Sequence, residues 1–336
     1  MEKEDKQLLL KLLSIHGISG FESNVRDFIK KQIKPLVDEV RTDKLGNLIA
    51  IHRGRKKRIM LAAHMDEIGF LVRKIHNNGS IEIEPVGTSD LSIFVGERIA
   101  IITKKERIPG IITTKRISKG DNLEENLKLE DMIIDTGLAK KELIKKGVEI
   151  GSNIVFLENP MFIANNKLIV SKAIDNRVGC SILLGLAKKL KNTPNEIYYI
   201  FSIQEEIGLT GGSTFAYNLN PDFAIAVDVT DTNDFEEEPT IILNEGPAIT
   251  IEDPNMISDS KLNETLKKIA KKNKIKYQLE INEKGTTDAT NIEVSKEGIP
   301  CTSVCVPVRN VHTTFTIASL NDIDMTFKLL YELLKK

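Results

Sequence analysis

The segment that decides the fold is residues 197–208, which read IYYIFSIQEEIG, an apolar run that ends in two adjacent glutamates. The run predicts a strand over Ile197–Ile203, since strands buried on both faces of a sheet are apolar at successive positions. Glu205 and Glu206 then follow the end of a buried strand. Such a carboxylate pair is unfavourable unless a cation or a shared proton offsets its charge. The segment therefore predicts a sheet core and a functional site at its edge.

The rest of the chain divides into two regions with different sequence patterns. From Lys167 onward, strand-like runs alternate with amphipathic helices, which is typical of a mainly parallel sheet flanked by helices. Between about residues 68 and 163, short β-branched segments recur with Gly and Pro between them, which indicates a small all-β barrel or sandwich. We therefore predict an α/β fold, with residues 1–67 and 164–336 as one domain and residues 68–163 as an inserted β domain.

The composition narrows the functional classes. Hydrophobic residues make up 41% and charged residues 28%, as in a globular protein rather than a disordered one. The net charge of -1 gives no indication of a nucleic-acid or membrane partner. The N-terminal MEKEDKQLLL lacks the apolar region of a signal peptide, and the three cysteines are a sparse, odd set that fits a reducing compartment. We expect a cytoplasmic protein.

One basic run could still suggest nucleic acid. Residues 52–58 read HRGRKKR, and they lie between two apolar strand-like runs. Because the run also contains the turn residue Gly54, we predict a solvated hairpin loop instead.

A histidine and an aspartate follow another apolar run, Ile59–Ala63. Positions two apart in extended backbone point to the same side, so Asp66 is expected near the imidazole of His64. A metal-bound histidine commonly gives its second N–H to a carboxylate, which fixes the orientation of the ring. The alternative is a surface histidine beside acidic residues.

Three more candidate ligands follow or interrupt predicted strands, namely Asp175, Asp228 and His312. Taken singly, Asp175 could be only a helix N-cap, and the glutamate pair could lie on a solvated face. Asp228 interrupts an apolar strand and needs a partner if it is buried. Taken together, the set offers the imidazole and carboxylate mixture that zinc, cobalt or manganese accepts. Two histidines and three carboxylates suit two ions with one shared carboxylate, which leaves Glu205 as a base.

The same segments resemble the M42 family of metallo-aminopeptidases, in the order that is usual for that family. The resemblance extends over essentially the whole chain and is carried by GISGFE at 17–22, AHMDEIGF at 63–70, AIDNRVG at 173–179, QEEIGLTGG at 204–212, AVDVT at 226–230, Thr287-Asp288-Ala289 and RNVH at 309–312. It implies metal ligands at His64, Asp175, Glu206, Asp228 and His312, and catalytic roles for Glu205 and Asp66.

By this resemblance, Asp175 is expected to bridge two divalent ions, zinc or alternatively cobalt or manganese. Glu206 and His312 would complete one ion, and His64 and Asp228 the other. Glu205 would be the general base, and Asp66 would orient His64. The implied activity is that of a di-metal aminopeptidase, which removes the N-terminal residue of short peptides by means of a hydroxide held between the ions. Residues 68–163 would be a dimerisation domain, and dimers would assemble into a hollow dodecamer.

The chain departs from the family pattern at a few positions. Thr316 stands where a Glu is often found, Glu245 stands where a Lys is often found, and the segment after Asp228 is unusually acidic. These departures leave the expected ligands and base in place, and they bear on the substrate pocket and the subunit contacts.

Three alternatives were weighed against a peptidase. A glycoside hydrolase built on Glu205 and Glu206 would normally line its cleft with aromatic residues, whereas this chain is 5% aromatic and has no Trp. A non-enzymatic scaffold with a degraded site should lack a ligand or the base, and none is missing. A deacylase of acylated amines would keep the same metal chemistry and change only the substrate.

Overall fold

The computed structural model describes residues 3–87, 91–115 and 128–335. The described helices are α1 (Lys3–Ser14), α2 (Ser23–Ile33), α3 (Lys140–Lys145), α4 (Ile174–Lys189), α5 (Gly212–Leu219), α6 (Ser260–Asn273), α7 (Asp288–Glu293) and α8 (Leu320–Leu334). The first nine strands are β1 (Glu39–Thr42), β2 (Leu48–His52), β3 (Arg58–His64), β4 (Gly69–Ile75), β5 (Ile81–Val86), β6 (Arg98–Ile102), β7 (Arg107–Thr114), β8 (Met132–Asp135) and β9 (Asn153–Phe156). The others are β10 (Met161–Ile163), β11 (Leu168–Ser171), β12 (Glu196–Ser202), β13 (Phe223–Asp231), β14 (Ala248–Asp253), β15 (Met256–Ile257), β16 (Gln278–Ile281), β17 (Cys301–Arg309) and β18 (Thr316–Ser319).

Twelve of the described strands form one mixed sheet, in the order β1-β2-β12-β3-β13-β17-β18-β11-β10, with β14, β15 and β16 attached beside β17. Its centre is parallel, because β12, β3, β13 and β17 pair in the same direction. Towards both ends of this order the pairings are antiparallel, whereas the attached strands β14 and β16 pair in parallel. The predicted α/β fold with a parallel-centred sheet is confirmed.

The central strands are buried on both faces, as their continuous apolar sequences predicted. Along β3, Ile59, Leu61 and Ala63 pack into one apolar layer with α1, α4 and α8, while Met60 and Ala62 face the layer that contains α5 and α7. This alternation follows from the period of two in a strand. The helices therefore cover both faces and leave the carboxyl ends of the strands as the free edge.

Strand register brings the predicted ligands to the same level. Ser202, at the end of β12, lies opposite His64, at the end of β3. Ala226 of β13 lies opposite Ala62 of β3, so two residues further along each strand Asp228 is level with His64. Parallel strands carry their ends to one edge of the sheet, and polar groups gather there.

A closed barrel forms the second unit, in the order β4-β5-β8-β7-β6-β9. Its interior is filled with apolar side chains, among them three phenylalanines in mutual contact, Phe70, Phe94 and Phe156. Of the two predicted alternatives, a barrel or a sandwich, the barrel is observed. It joins the large sheet through the short connection that follows His64, since β3 ends at His64 and β4 begins at Gly69.

The predicted hairpin at residues 52–58 is wrong. These residues do connect β2 to β3, but β12 lies between those two strands in the sheet. The connection therefore crosses the start of β12, and Gly54 packs so closely there that an added Cβ would lie 2.1 Å from the carbonyl carbon of Asn195. Local sequence cannot reveal a distant strand that inserts between two neighbours in the chain.

A fully buried arginine ties the N-terminal segment to the sheet. From α4, Arg177 donates hydrogen bonds to the backbone carbonyls of Leu12, Ile15, Gly17 and Met65, at 2.7 to 3.3 Å. Its guanidinium also lies 3.5 Å from the buried carboxylate of Glu67, which pairs with the buried Lys172. Four backbone carbonyls near the end of β3 therefore have Arg177 as a hydrogen-bond donor.

None of the described helices has both the length and the apolar character that a membrane span requires.

Replacing Arg177 with Met should lower the free energy of unfolding by about 3–5 kcal/mol, because it removes one partner of a buried ionic network and leaves carbonyls unpaired. Urea denaturation at one protein concentration measures the change, with Arg55→Met, at an exposed position, as the matched control. A loss below about 1 kcal/mol, the size of a single ordinary hydrogen bond, would contradict this structural role.

Candidate metal centre

The structure brings all seven predicted site residues together at the carboxyl edge of the sheet. His64 ends β3, and Asp228 lies within β13. The others come from connecting segments or the first turn of a helix, namely Asp66, Asp175, Glu205, Glu206 and His312. The candidate residues are thus held partly by strands, whose backbone is fixed by pairing, and partly by loops.

Asp175 occupies the middle of the cluster. Its Oδ1 lies 2.9 Å from His64 Nε2, and its Oδ2 lies 3.4 Å from His312 Nε2. The predicted N-cap alternative is excluded, because Asp175 has non-helical backbone angles and it is Asn176 Oδ1 that accepts a hydrogen bond from the Gly179 N–H, at 3.0 Å, where α4 becomes regular. This local departure from helix geometry turns the carboxylate toward the two imidazoles.

Glu206 and His312 form one side of the cluster. Glu206 Oε2 lies 3.0 Å from His312 Nε2, and the glutamate side chain is only 3% exposed. Its other oxygen, Oε1, is buried and has no hydrogen-bond partner. The predicted alternative of a solvated glutamate pair is therefore wrong, because the strand end is covered and both glutamates turn inward.

His64, Asp228 and Glu205 form the other side. His64 Nε2 lies 3.7 Å from Asp228 Oδ1 and 3.9 Å from Glu205 Oε2. The His64 side chain is 2% exposed, which excludes the alternative of a surface histidine. These two distances are nearly equal, so geometry alone does not decide whether Glu205 or Asp228 would share a metal ion with His64.

Asp66 connects the two sides from beneath. Its Oδ1 lies 3.5 Å from His64 Nδ1 and accepts a hydrogen bond from the backbone N–H of Glu205. Its Oδ2 accepts hydrogen bonds from the backbone N–H of Glu206 and from the Ser19 hydroxyl. The Asp66 side chain is completely buried. It is therefore positioned both to orient the imidazole and to hold the backbone of the glutamate pair.

The site carries more negative charge than its own groups can offset. Burial, reinforced by the nearby Asp175 carboxylate, raises the pKa of Glu206 to about 7. Burial also raises the pKa of Glu205 and that of Asp228. Burial alone would lower the pKa of His64, but the surrounding carboxylates, Glu205 first, outweigh it and raise that pKa well above its ordinary value. Buried acids and bases shifted in this way indicate a cluster that needs cations.

The donor set fits divalent metal. Two groups of three side chains each bring one ligand atom within 4.8 Å of the others, His64 with Asp175 and Glu206, and His64 with Glu205 and Asp228. Imidazole nitrogen and carboxylate oxygen are donors that zinc and its neighbours accept. The unpartnered Glu206 Oε1 is a further buried acceptor without a donor.

Sequence reasoning gave no role to several residues that support this site. Glu22 is 4% exposed and accepts hydrogen bonds from the backbone N–H groups of Gly20 and Gln204. The Ser19 hydroxyl donates a hydrogen bond to Asp66 at 2.6 Å. The one available signal was the position of both within the GISGFE motif.

Known proteins match nearly the whole of this chain. Residues 46–329 match the family described as M42 glutamyl aminopeptidase. A protein of Acetivibrio thermocellus, named as a candidate aminopeptidase, is 40% identical over 99% of each chain.

Two solved structures are also similar. A TET aminopeptidase from a marine sediment thaumarchaeote is 31% identical, with a TM-score of 0.95 over 99% of this chain and 97% of its own. The TET1 peptidase of Pyrococcus horikoshii, which can assemble into a tetrahedron or a large octahedral shell, is 28% identical, with a TM-score of 0.89 over 99% of each chain.

Divalent metal should stabilise the chelator-treated protein, because cations offset the buried carboxylates only in the folded state. One ion at about 100 times its dissociation constant adds about 2.7 kcal/mol to the free energy of unfolding. Thermal melts with zinc, cobalt and manganese added back measure this effect. His76→Ala, which changes a histidine paired with Glu82 on the barrel, should respond as the unchanged protein does. A melting temperature that stays unchanged with all three metals would contradict a metal centre here.

Proposed function

The chain belongs to the M42 peptidase family and is a peptide hydrolase, and from that premise we propose that it is a di-metal aminopeptidase that removes the N-terminal residue of short peptides. The observation that supports this most strongly is the central carboxylate of Asp175, whose two oxygens each face a different histidine. One carboxylate between two imidazoles, surrounded by further buried acids, suits a pair of ions with a shared ligand.

We assign the ligands in two groups around Asp175. Glu206 and His312, 3.0 Å apart, complete one ion site, and His64 and Asp228, 3.7 Å apart, complete the other. Two bound divalent ions would supply a water acidified to near neutral pH and a polarised scissile carbonyl. The ligands accept zinc, cobalt or manganese, with zinc as our first expectation.

Glu205 is the proposed general base. Its carboxylate is buried beside the ligands, and burial raises its pKa, which suits a group that takes a proton from water and returns it to the leaving amine. The backbone N–H of Glu205 is fixed by Asp66. Asp66 thus positions the base as well as the ring of His64.

We also propose that residues 68–163 are a dimerisation domain and that dimers assemble into a dodecamer. The assembling Pyrococcus relative supports this proposal. Large exposed apolar side chains lie within residues 68–163 and in or next to β15, β16 and α7, namely Ile111, Ile144, Ile150, Met161, Ile257, Ile281 and Val294. They would be available to pack against other subunits. A cytoplasmic location stays a prediction from the sequence.

Glu205→Gln should lower turnover of aminoacyl-p-nitroanilides by about two or more orders of magnitude, because it removes the proton acceptor. Metal content should stay at the level of the unchanged protein. Steady-state kinetics and metal analysis on the same preparation measure both, with the exposed Glu236→Gln as control. Normal turnover would remove Glu205 from the role of base, and a loss of metal would make it a ligand instead.

Asp175→Asn should bind less than the full complement of metal, because the amide weakens a ligand that serves both ions. Metal analysis after dialysis is the measurement, and the exposed Asp27→Asn serves as control. Two full equivalents in the Asp175 variant would refute the bridging assignment, whatever its activity.

A further inference from the structure

The barrel contacts the candidate metal centre at two separate points. The first is Gly87, directly after β5, whose backbone has a φ of +76°. A Cβ added there would lie 2.8 Å from Glu206 Cβ and 3.2 Å from Glu206 Oε2. Glu206 Oε2 is the same oxygen that faces His312. The missing side chain at Gly87 therefore leaves the space that Glu206 occupies.

The second contact is a hydrogen bond from the loop that carries His312. Thr314, 4% exposed, donates from Oγ1 to Oε1 of Glu97, just before β6, at 2.7 Å. Thr314 lies two residues after His312 and 217 positions after Glu97. A hydrogen bond to a carboxylate is stronger than one between neutral groups, so this one can hold a loop.

The loop itself needs such support. His312 has a φ of +58°, a left-handed conformation that non-glycine residues adopt infrequently, and its side chain is 45% exposed. By contrast, His64 and Asp228 belong to central strands whose backbone is held on both sides by neighbouring strands. The two barrel contacts thus fall on the ligands that lie on loops and on neither of the strand ligands.

We propose that the barrel is a positioning element for one metal site, in which Gly87 and Glu97 hold Glu206 and His312 in place and the site of His64 and Asp228 is independent of it. This inference rests on the proposed di-metal function. It makes the inserted unit part of the metal centre rather than only a surface for assembly. Glu97 acts through Thr314 and the loop, so it is a positioning residue and touches neither metal nor substrate.

Zinc titration of the full-length apoprotein by calorimetry tests the loop contact. Thr314→Val removes the donor and should lower the affinity of the protein for one of the two ions by about 10-fold or more, the usual effect of losing an outer hydrogen-bond partner. The affinity for the other ion should not change. Thr314→Ser keeps the hydroxyl and should restore both affinities. Glu97→Gln keeps an acceptor and should bind nearly as the unchanged protein does, whereas Glu97→Ala should match Thr314→Val.

The glycine contact has a matched control within the barrel. Gly87→Ala and Gly137→Ala both place a Cβ on a backbone of positive φ, but the Cβ at Gly137 meets nothing within 4 Å. Only Gly87→Ala should weaken the same single ion. In an Asp228→Asn background, which removes a ligand of the other ion, Thr314→Val should lower the affinity for the remaining ion by the same factor, about 10-fold or more.

The outcomes separate this inference from the proposed function. If the unchanged protein binds fewer than two ions, the di-metal proposal fails. If it binds two ions and the Thr314→Val, Glu97→Ala and Gly87→Ala variants also bind both normally, the positioning role of the barrel is refuted. Equal weakening of both ions in these variants would refute it too, because it would indicate general destabilisation rather than support of one site.

Discussion

The main physical constraint on this structure is the mutual repulsion of carboxylates that are buried together at one edge of a sheet, which must be compensated in the folded protein. Among the described residues, Asp175, Glu205, Glu206 and Asp228 converge there with the imidazoles of His64 and His312. Buried charges of like sign are tolerated only where cations, protons or hydrogen bonds compensate them. Burial, reinforced by this crowding, raises the pKa values of the glutamates and of Asp228. A metal pair is the compensation that the donor chemistry fits best.

A second layer of polar groups fixes the site from below. Asp66 accepts hydrogen bonds from the backbone of both glutamates and from Ser19, and Arg177 donates hydrogen bonds to four backbone carbonyls of the N-terminal segment and of Met65. Each of these groups is buried and partnered, as low-dielectric networks must be if they are to add rigidity. The site is therefore preorganised by side chains that have no chemical step of their own.

The barrel adds support from the side. Sheet pairing fixes strand residues such as His64. The loop of Glu206 is held by Asp66 and also contacts Gly87, and the loop of His312 is held by the hydrogen bond from Thr314 to Glu97. A fold with an insertion between β3 and β10 can thus use the inserted unit both as a surface and as a wall of its site.

The sequence by itself determined the central strands, the helices that flank them and the chemical types at the strand ends. These features depend on local periodicity and on apolar runs that end in charged residues, as at Ile197–Glu206. The tertiary structure alone decided that β12 separates β2 from β3, that Arg177 reaches the carbonyls near Leu12, and that Gly87 abuts Glu206. Those pairings join segments far apart in the chain, and their geometry follows from strand order and loop paths, which local patterns do not encode.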